Sequence, residues 1–451
     1  MKKILIISLG LIIVTSGLII GFHISGKTNI SEESIHNLIQ KETDEIYDSL
    51  VKIRRDFHMY PELSEHEKRT SEKIESYLRK LGLDVKTNIG GYGVVGILRG
   101  NKDGKHLAWR ADIDAFWSNV PDVVEFESKN KNVRHICGHD VHATIGLGIA
   151  NILSKHKDKI NGTIYFIFQP SEEVCRGAET MIRDGLFNII KPSEVYALHV
   201  APLPVGIITT KENELYAYNR NLTIKLKGIT NEDAVLNYTQ TLTKSYNTVD
   251  DQFWDMKNLT NPQIGIFNPQ SIFKNYLAIQ KHLKTRKEKD LIEISISLSG
   301  TDLNVIDSLP IKLKGTIKKS QYADNLVSID YLESYPTDNN SKLTLNALYT
   351  SLKDYGIIMY PTVNNNSKLT QEAVNSIMKV YGQNSFIPLF GVINQRNDDF
   401  AYFQQHVPGV YFFLGGSNSL PHSPNFTVDE ECIKVGVKYF STMIVERLKD
   451  E

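Results

Sequence analysis

The sequence predicts an α/β fold, a sheet with crossover helices that carries ligand-type side chains at the ends of its strands, preceded by an N-terminal transmembrane helix. Three observations predict it. First, helical apolar patterns at 38–60, 71–81 and 143–157 alternate with strand-like runs at 94–98, 106–109, 163–168 and 194–198. Such alternation builds a sheet whose strands are joined by helices. Second, Cys, His, Asp and Glu gather where the apolar runs stop, which is where an α/β sheet opens its crevice. Third, an uncharged apolar run from Ile4 to Phe22 follows Lys2 and Lys3 and is long enough to cross a bilayer as a helix.

That run admits two readings. A cleaved signal peptide needs a shorter apolar core with a small-residue cleavage site after it, whereas Thr15-Ser16-Gly17 lies inside the run. An uncleaved anchor is the favoured reading, and secretion after cleavage is the alternative. The two lysines put the amino terminus in the cytoplasm and the chain beyond about Gly26 outside. No cysteine lies near the end of the run, which argues against a lipoprotein.

The 451 residues suffice for two domains, and 41% hydrophobic with 23% charged residues is ordinary globular composition. A net charge of -1 and the lack of a basic patch interleaved with aromatics argue against nucleic acid. Three cysteines, Cys137, Cys175 and Cys432, are too few for a disulfide framework.

The densest chemistry lies in His135-Ile136-Cys137-Gly138-His139-Asp140-Val141-His142, where a thiol, three imidazoles and a carboxylate share eight residues. Thiolate with imidazole suits zinc or another divalent transition metal better than magnesium or calcium. Gln169-Pro170-Ser171-Glu172-Glu173, Ala197-Leu198-His199 and Pro421-His422-Ser423-Pro424 add further ligand types at the ends of apolar segments. Together Cys137, His139, Glu173, His199 and His422 make five candidate ligands, too many for one catalytic ion with an open position. Two metal ions sharing a bridging ligand fit that count, and Cys137 as a thiolate is suited to bridge them. His142, three residues after His139, reads more simply as part of the first turn of the next helix.

The set resembles the amidohydrolase branch of the aminoacylase/carboxypeptidase-type dinuclear metallopeptidases, which hydrolyse N-acyl, hippuryl and indole-acetyl amino acids. The resemblance runs from Arg54-Arg55-Asp56-Phe57-His58 and Pro61-Glu62-Leu63, through Trp109-Arg110-Ala111-Asp112-Ile113-Asp114-Ala115, to Asp399-Phe400-Ala401-Tyr402 and His422-Ser423-Pro424. It implies a zinc-exopeptidase-like catalytic domain with an inserted α+β, ferredoxin-like satellite domain that can serve dimerisation. The expected organisation is an anchor at 1–27, catalytic parts at 31–216 and 360–451, and the insertion at 217–359. Within the insertion, strands are expected at 221–226, 292–298 and 311–317.

The resemblance also implies two divalent ions, zinc or manganese, and a water activated by them. It assigns Glu173 to the metal and Glu172 to the general base. The chemistry agrees, because one carboxylate must stay free to carry a proton to the leaving amine. Asp112 matches an active-site aspartate and is read as orienting a ligand histidine through its distal nitrogen.

The pattern breaks in the insertion. The family's Gly-Lys-Gly-Gly-His-Ala segment, whose histidine helps bind substrate, corresponds to Lys227-Gly228-Ile229-Thr230-Asn231-Glu232-Asp233-Ala234, which has no histidine. Leu303-Asn304-Val305-Ile306 and Lys314-Gly315-Thr316-Ile317-Lys318 are taken as surviving family segments, with Lys318 where arginine is usual. Phe116-Trp117 replaces the usual Leu-Pro, and Val174-Cys175-Arg176 a glycine-rich turn. The favoured function is hydrolysis of the amide bond of an N-acyl amino acid or small peptide. One alternative is an impaired member that binds such molecules without turnover. Another is a thiol enzyme using Cys137. Cys175 and Cys432 stand near Glu173 and His422 in sequence, so a disulfide between them is conceivable in an oxidising compartment, two separate buried thiols being the favoured outcome.

Overall fold

A computed structural model describes residues 34–331, 361–394 and 398–449, apart from Asp251 and His282. The first half of the chain forms α1 (Ile35–Met59), α2 (Lys68–Lys80), β1 (Asp84–Ile89), β2 (Gly93–Arg99), β3 (Lys102–Asp112), α3 (His139–Lys155), β4 (Asn161–Gln169), α4 (Gly177–Arg183), β5 (Glu194–Ala201) and β6 (Ile208–Thr210). A middle section contributes β7 (Tyr218–Lys227), α5 (Glu232–Lys244), β8 (Leu277–Ile279), β9 (Lys284–Glu288), β10 (Leu291–Gly300), α6 (Leu303–Ile317) and β11 (Leu326–Tyr331). The chain then returns through α7 (Ser367–Tyr381), β12 (Phe386–Pro388), α8 (Phe400–Gln404), β13 (Gly409–Gly415) and α9 (Glu431–Lys449). The expected anchor at 1–27 lies outside the described residues. Among those described, no helix is long and apolar enough to cross a membrane.

The main sheet has eight strands in the order β1-β2-β4-β3-β5-β13-β6-β12. Its centre, β4-β3-β5-β13, is parallel, as continuous apolar runs require when helices cover both faces. Side chains alternate strictly between two cores. Leu107, Trp109 and Ala111, with Ile164, Phe166, Phe168, Tyr196 and Leu198, join the core that also holds Leu50 of α1, Ile145 of α3 and Phe440 of α9. Ala108, Tyr165, Ile167, Val195 and Ala197 join the core under α4 and α8. The period of two carries the latter face on to Arg110, Asp112, Gln169 and His199, so one side of the sheet ends in polar groups.

Helix α3 begins four residues earlier than its apolar pattern suggests, at His139, which places His139, Asp140 and His142 on its first turn. Gly138 caps it with φ 91°, and a Cβ there would lie 2.4 Å from Val200 Cγ2. Only glycine fits that approach and that backbone region.

Residues 218–331 form a second, five-stranded antiparallel sheet in the order β8-β10-β7-β11, with β9 added against β10. Helices α5 and α6 bury Val235, Leu242, Ile306, Leu309 and Leu313 against Leu222, Ile224, Ile294 and Ile296 of its inner face. The strand expected at 311–317 is instead the last half of α6. Alternation of Ile311, Leu313 and Gly315 mimics a strand, but Ile306, Leu309, Leu313 and Ile317 recur at helical spacing and are the buried set. Asp302 caps the helix by accepting from the amides of Asn304 and Val305. The segments matched at 303–306 and 314–318 therefore lie on the first and last turns of one helix.

Pro310 sits inside α6 and cannot donate to the carbonyl of Ile306. The hydroxyl of Tyr331 on β11 donates to that oxygen instead, at 2.6 Å. Tyr331→Phe is expected to cost about 1–2 kcal/mol by leaving the carbonyl without a partner. In a Pro310→Ala background, where residue 310 regains its N–H, the same change should cost clearly less. Urea unfolding of the four proteins measures the difference.

Candidate metal centre

Arg110 lies in an apolar strand with its side chain wholly out of water, a position no guanidinium holds without acceptors. It donates to Gln169 Oε1 at 2.7 Å, to Asp112 Oδ2 at 2.6 Å and to Asp399 Oδ1 at 3.1 Å, and it pairs with Asp398 at 3.1 Å. The Tyr411 hydroxyl closes the group by donating to Asp398. In front of this base, α3 and the strand ends bring the predicted ligands together. Cys137, His139 and His199 offer ligand atoms within 4.8 Å of one another, as do Cys137, Glu173 and His422, and His139, Glu172 and Glu173.

The imidazoles are oriented by what holds their far nitrogens. His199 Nδ1 donates to the Val200 carbonyl at 2.8 Å, which leaves Nε2 facing Cys137 Sγ at 3.3 Å. His139 Nδ1 lies 2.8 Å from the Asp114 carbonyl and 3.2 Å from its Oδ1. Both are acceptors, so Nδ1 carries a hydrogen and Nε2 is the position open to a proton or a metal. That Nε2 is buried without a hydrogen-bond partner among the described residues. Its nearest carboxylate oxygens are on Glu172 at 3.8 Å, Asp112 at 3.9 Å and Glu173 at 4.0 Å. A buried nitrogen ringed by acids just beyond hydrogen-bond reach, beside a thiol, is the arrangement a divalent ion completes.

Asp112 faces elsewhere than the sequence suggested. Its Oδ1 accepts from His142 Nδ1 at 2.6 Å, while Asp114 holds His139. Asp114 also accepts from Ser64 Oγ at 2.7 Å and from the Glu173 amide at 2.9 Å, so one carboxylate sets both a histidine and a glutamate. His142 sits on the first helical turn as expected and is fully engaged, accepting the Val200 N–H on Nε2 at 3.0 Å. The chain turns at Ser171, where φ is 57°, just before Glu172 and Glu173 reach His139. His422 also has a positive φ, 65°, and reaches Glu173 Oε1 at 3.0 Å with its ring stacked on Phe116. Each of the three cysteines is a buried thiol, so the conceivable Cys175–Cys432 bridge is not formed. Cys432 packs against Gly416 at the start of α9.

Sequence reasoning passed over Gln169, Asp398, Tyr411 and the separate part played by Asp114. One signal was present: an arginine directly after the buried run Leu107-Ala108-Trp109 needs acids nearby. The acids 398 and 399 lie almost 290 residues away, and no local pattern announces which of them would arrive.

The charges are strained toward a cation. Burial, then Asp398 and Glu173, push the Glu172 carboxyl well above its usual range, and burial with Glu173 does the same to the Cys137 thiol. Burial and the neighbouring His142 hold His199 well below the usual imidazole range. Burial opposes a charge on His139, but Asp112 and Cys137 hold it well above that range. A divalent ion would reverse the cost of the carboxylates and thiolate.

Residues 108–446 match the model of peptidase family M20/M25/M40. The thermostable carboxypeptidase 1 of Saccharolobus solfataricus is 31% identical over 422 residues, covering 90% of this chain and 98% of that protein. The IAA-amino acid hydrolase ILR1-like 4 of Arabidopsis thaliana is 27% identical over 420 residues, covering 90% and 87%. The fold is similar to that of the Bacillus subtilis YXEP protein, a dinuclear metal binding peptidase from the M20 family. The TM-score is 0.68 at 23% identity, with 90% of this chain and 99% of that one covered.

Without a cation, stability should depend on pH with a definite sign. Burial raises Glu67 to about 8 and Asp399 to about 7. A carboxyl raised on folding favours the native state while protonated, and that contribution disappears as pH rises through its folded pKa. The lowered His199 acts in the opposite sense only as pH falls below the usual imidazole value. The chelated protein is therefore expected to melt at progressively lower temperature as pH rises from about 6.5 to 8. Zinc or manganese should abolish or invert that slope in a thermal scan.

Proposed function

We propose, for a chain that belongs to peptidase family M20/M25/M40 and is a metal-dependent hydrolase of amide or peptide bonds, that two divalent ions would be held by a set centred on Cys137. His139 and His199 would complete one set of ligands, and Glu173 and His422 the other. The observation that carries this is the convergence of two ligand groups on one cysteine, with the buried His139 Nε2 facing in. The mix of sulfur, nitrogen and oxygen donors suits zinc or manganese. Such ions supply Lewis acidity for the scissile carbonyl and lower the pKa of a bound water.

The chain's own residues do the rest. Glu172 is the proton carrier: it reaches toward the centre without being committed to His422, as Glu173 is. It takes a proton from water and returns it to the leaving amine. Asp114 holds His139 and the Glu173 backbone in register. Arg110 offsets the charge of Asp112, Asp398 and Asp399 behind the centre.

The substrate is an N-acyl amino acid or small peptide with an apolar substituent. Phe116 covers the His422 ring, with centroids 4.3 Å apart, and Trp117 beside it is 55% exposed. Leu420, two residues before His422, is 48% exposed. An apolar rim of this kind gains by being covered, at roughly 25 cal/mol per Å². The strand order β11-β7-β10-β8 with two helices on one face supports reading 217–359 as the ferredoxin-like satellite domain, the expected place of dimerisation. The localisation that goes with this reading is outside the cell membrane, tethered by residues 1–27.

The lack of a histidine between Lys227 and Ala234 favours a second reading, a binding protein without turnover. Hydrolysis abolished by chelation and restored by metal would exclude it. Activity that survives chelation but not alkylation would point to Cys137 as a nucleophile.

Elemental analysis is expected to give about two divalent ions per chain. Glu172→Gln should keep them and lose at least about a hundredfold in kcat. Glu173→Gln should lose metal, and the reverse pattern would exchange the two roles. Across a panel of N-acyl amino acids, those with large apolar acyl or side chains should have the highest kcat/KM. Trp117→Ala should reduce that preference by about tenfold, as one lost apolar contact of 1–2 kcal/mol predicts.

A further inference from the structure

Starting at Asp140, the residue after His139, lies a second buried set of charges that the hydrolytic chemistry leaves unused. His58, near the end of α1 and 3% exposed, stands between two carboxylates. Its Nδ1 is 2.8 Å from Asp140 Oδ2 and its Nε2 is 3.0 Å from Asp122 Oδ2. Neutral imidazole has one N–H and can satisfy only one of them. The geometry requires an imidazolium with both nitrogens donating.

Each carboxylate continues toward the metal ligands. Asp140 follows His139 on the first turn of α3 and also forms an ion pair with Arg54, whose Nε lies 2.9 Å from its Oδ2. Asp122 accepts from Arg134 Nη2 at 2.9 Å through its other oxygen, and Arg134 Nη1 donates to the Pro424 carbonyl at 3.1 Å. Pro424 lies two residues beyond His422, whose amide donates to the Ile136 carbonyl at 2.7 Å. One side of His58 therefore bears on the helix that carries His139, and the other on the loop that carries His422.

We propose that His58 is a positioning residue, an imidazolium pin that holds the His422 loop against the His139 helix and so maintains the spacing of the two metal ions. The pin rests on the reading of two metals given above. The groups facing His58 are Arg54 from its own helix, Asp140 from α3, Asp122 and the Phe126 ring edge from the 118–132 loop, and His135 with its ring centroid 6.4 Å away. Glu430 before α9 engages Arg54 and Arg55. Burial works against charge on His58, but its hydrogen bonds to Asp122 and Asp140 hold it above the usual imidazole range. The pin is therefore intact below that folded pKa and released as pH rises through it.

The test is metal affinity by chelator competition on the full chain, with thermal melting in parallel. His58→Gln keeps a donor but cannot be cationic. It should weaken the less tightly bound ion by about ten- to a hundredfold while leaving the other ion unchanged. The wild-type advantage should shrink as pH is raised through the range in which His58 deprotonates, a dependence that a purely structural side chain would not produce. Arg134→Lys keeps the charge but loses the fork that joins Asp122 to Pro424, and should give the same one-ion loss. With both changes present, the loss should be no larger than with Arg134→Lys alone, because the two act in series. Equal affinities for both ions in wild type and variants would overturn the pin alone, and so would equal weakening of both ions together with a lowered melting temperature. If His58→Gln does not fold, unchanged affinity in Arg134→Lys overturns it. A wild-type protein that takes up no divalent ion would remove the two-metal reading and the pin with it.

Discussion

Arg110 is the charge around which the working end of the sheet is arranged. A guanidinium with no exposed surface must be surrounded by acceptors, and here they come from β3 itself, from the end of β4 and from the segment 398–399 after the second sheet. Removing one partner from such a buried set typically costs about 3–5 kcal/mol, because the remaining charges stay buried and uncompensated. The arrangement therefore decides how the returning part of the chain seats against the first. Asp399 carries it further by accepting from the Ala178 amide at the start of α4.

In front of that neutralised base, the ligand groups form a site whose charge is left unfinished by the protein alone. Glu172 and the Cys137 thiol are pushed toward their protonated forms and His199 toward neutrality, all chiefly by burial. Such a constellation costs folding free energy unless something cationic satisfies it. The hydrogen bonds that orient it are already made: Asp114 and the Val200 carbonyl hold the far nitrogens of His139 and His199. Orientation of ligands is thus built into the fold, while charge balance is left to the ion.

The two sheets divide the labour by their packing. The parallel sheet presents its polar residues only at strand ends, because both its faces are covered by helices. The antiparallel sheet has helices on one face, and the carbonyl that Pro310 leaves without an N–H partner in α6 accepts from Tyr331 on a neighbouring strand. The turn after β7 is held by Gly228 at positive φ and by Asn231, which caps α5.

By itself the sequence determined the elements with strong periodicity and picked out the candidate ligands. Burial on both faces writes short apolar runs at 107–109, 164–168 and 195–198, and a metal site calls for ligand-type side chains near the ends of such runs. Where local pattern is ambiguous it misled: residues 311–317 alternate like a strand, yet Ile306, Leu309, Leu313 and Ile317 decide in favour of a helix because that spacing faces the second sheet. The partners of Arg110 and His58, the choice of Asp114 rather than Asp112 behind His139, and the separation of Cys175 from Cys432 were decided by tertiary structure alone. These depend on where segments tens to hundreds of residues apart come to rest, and a hydrogen bond of 3 Å leaves no periodic trace in either segment.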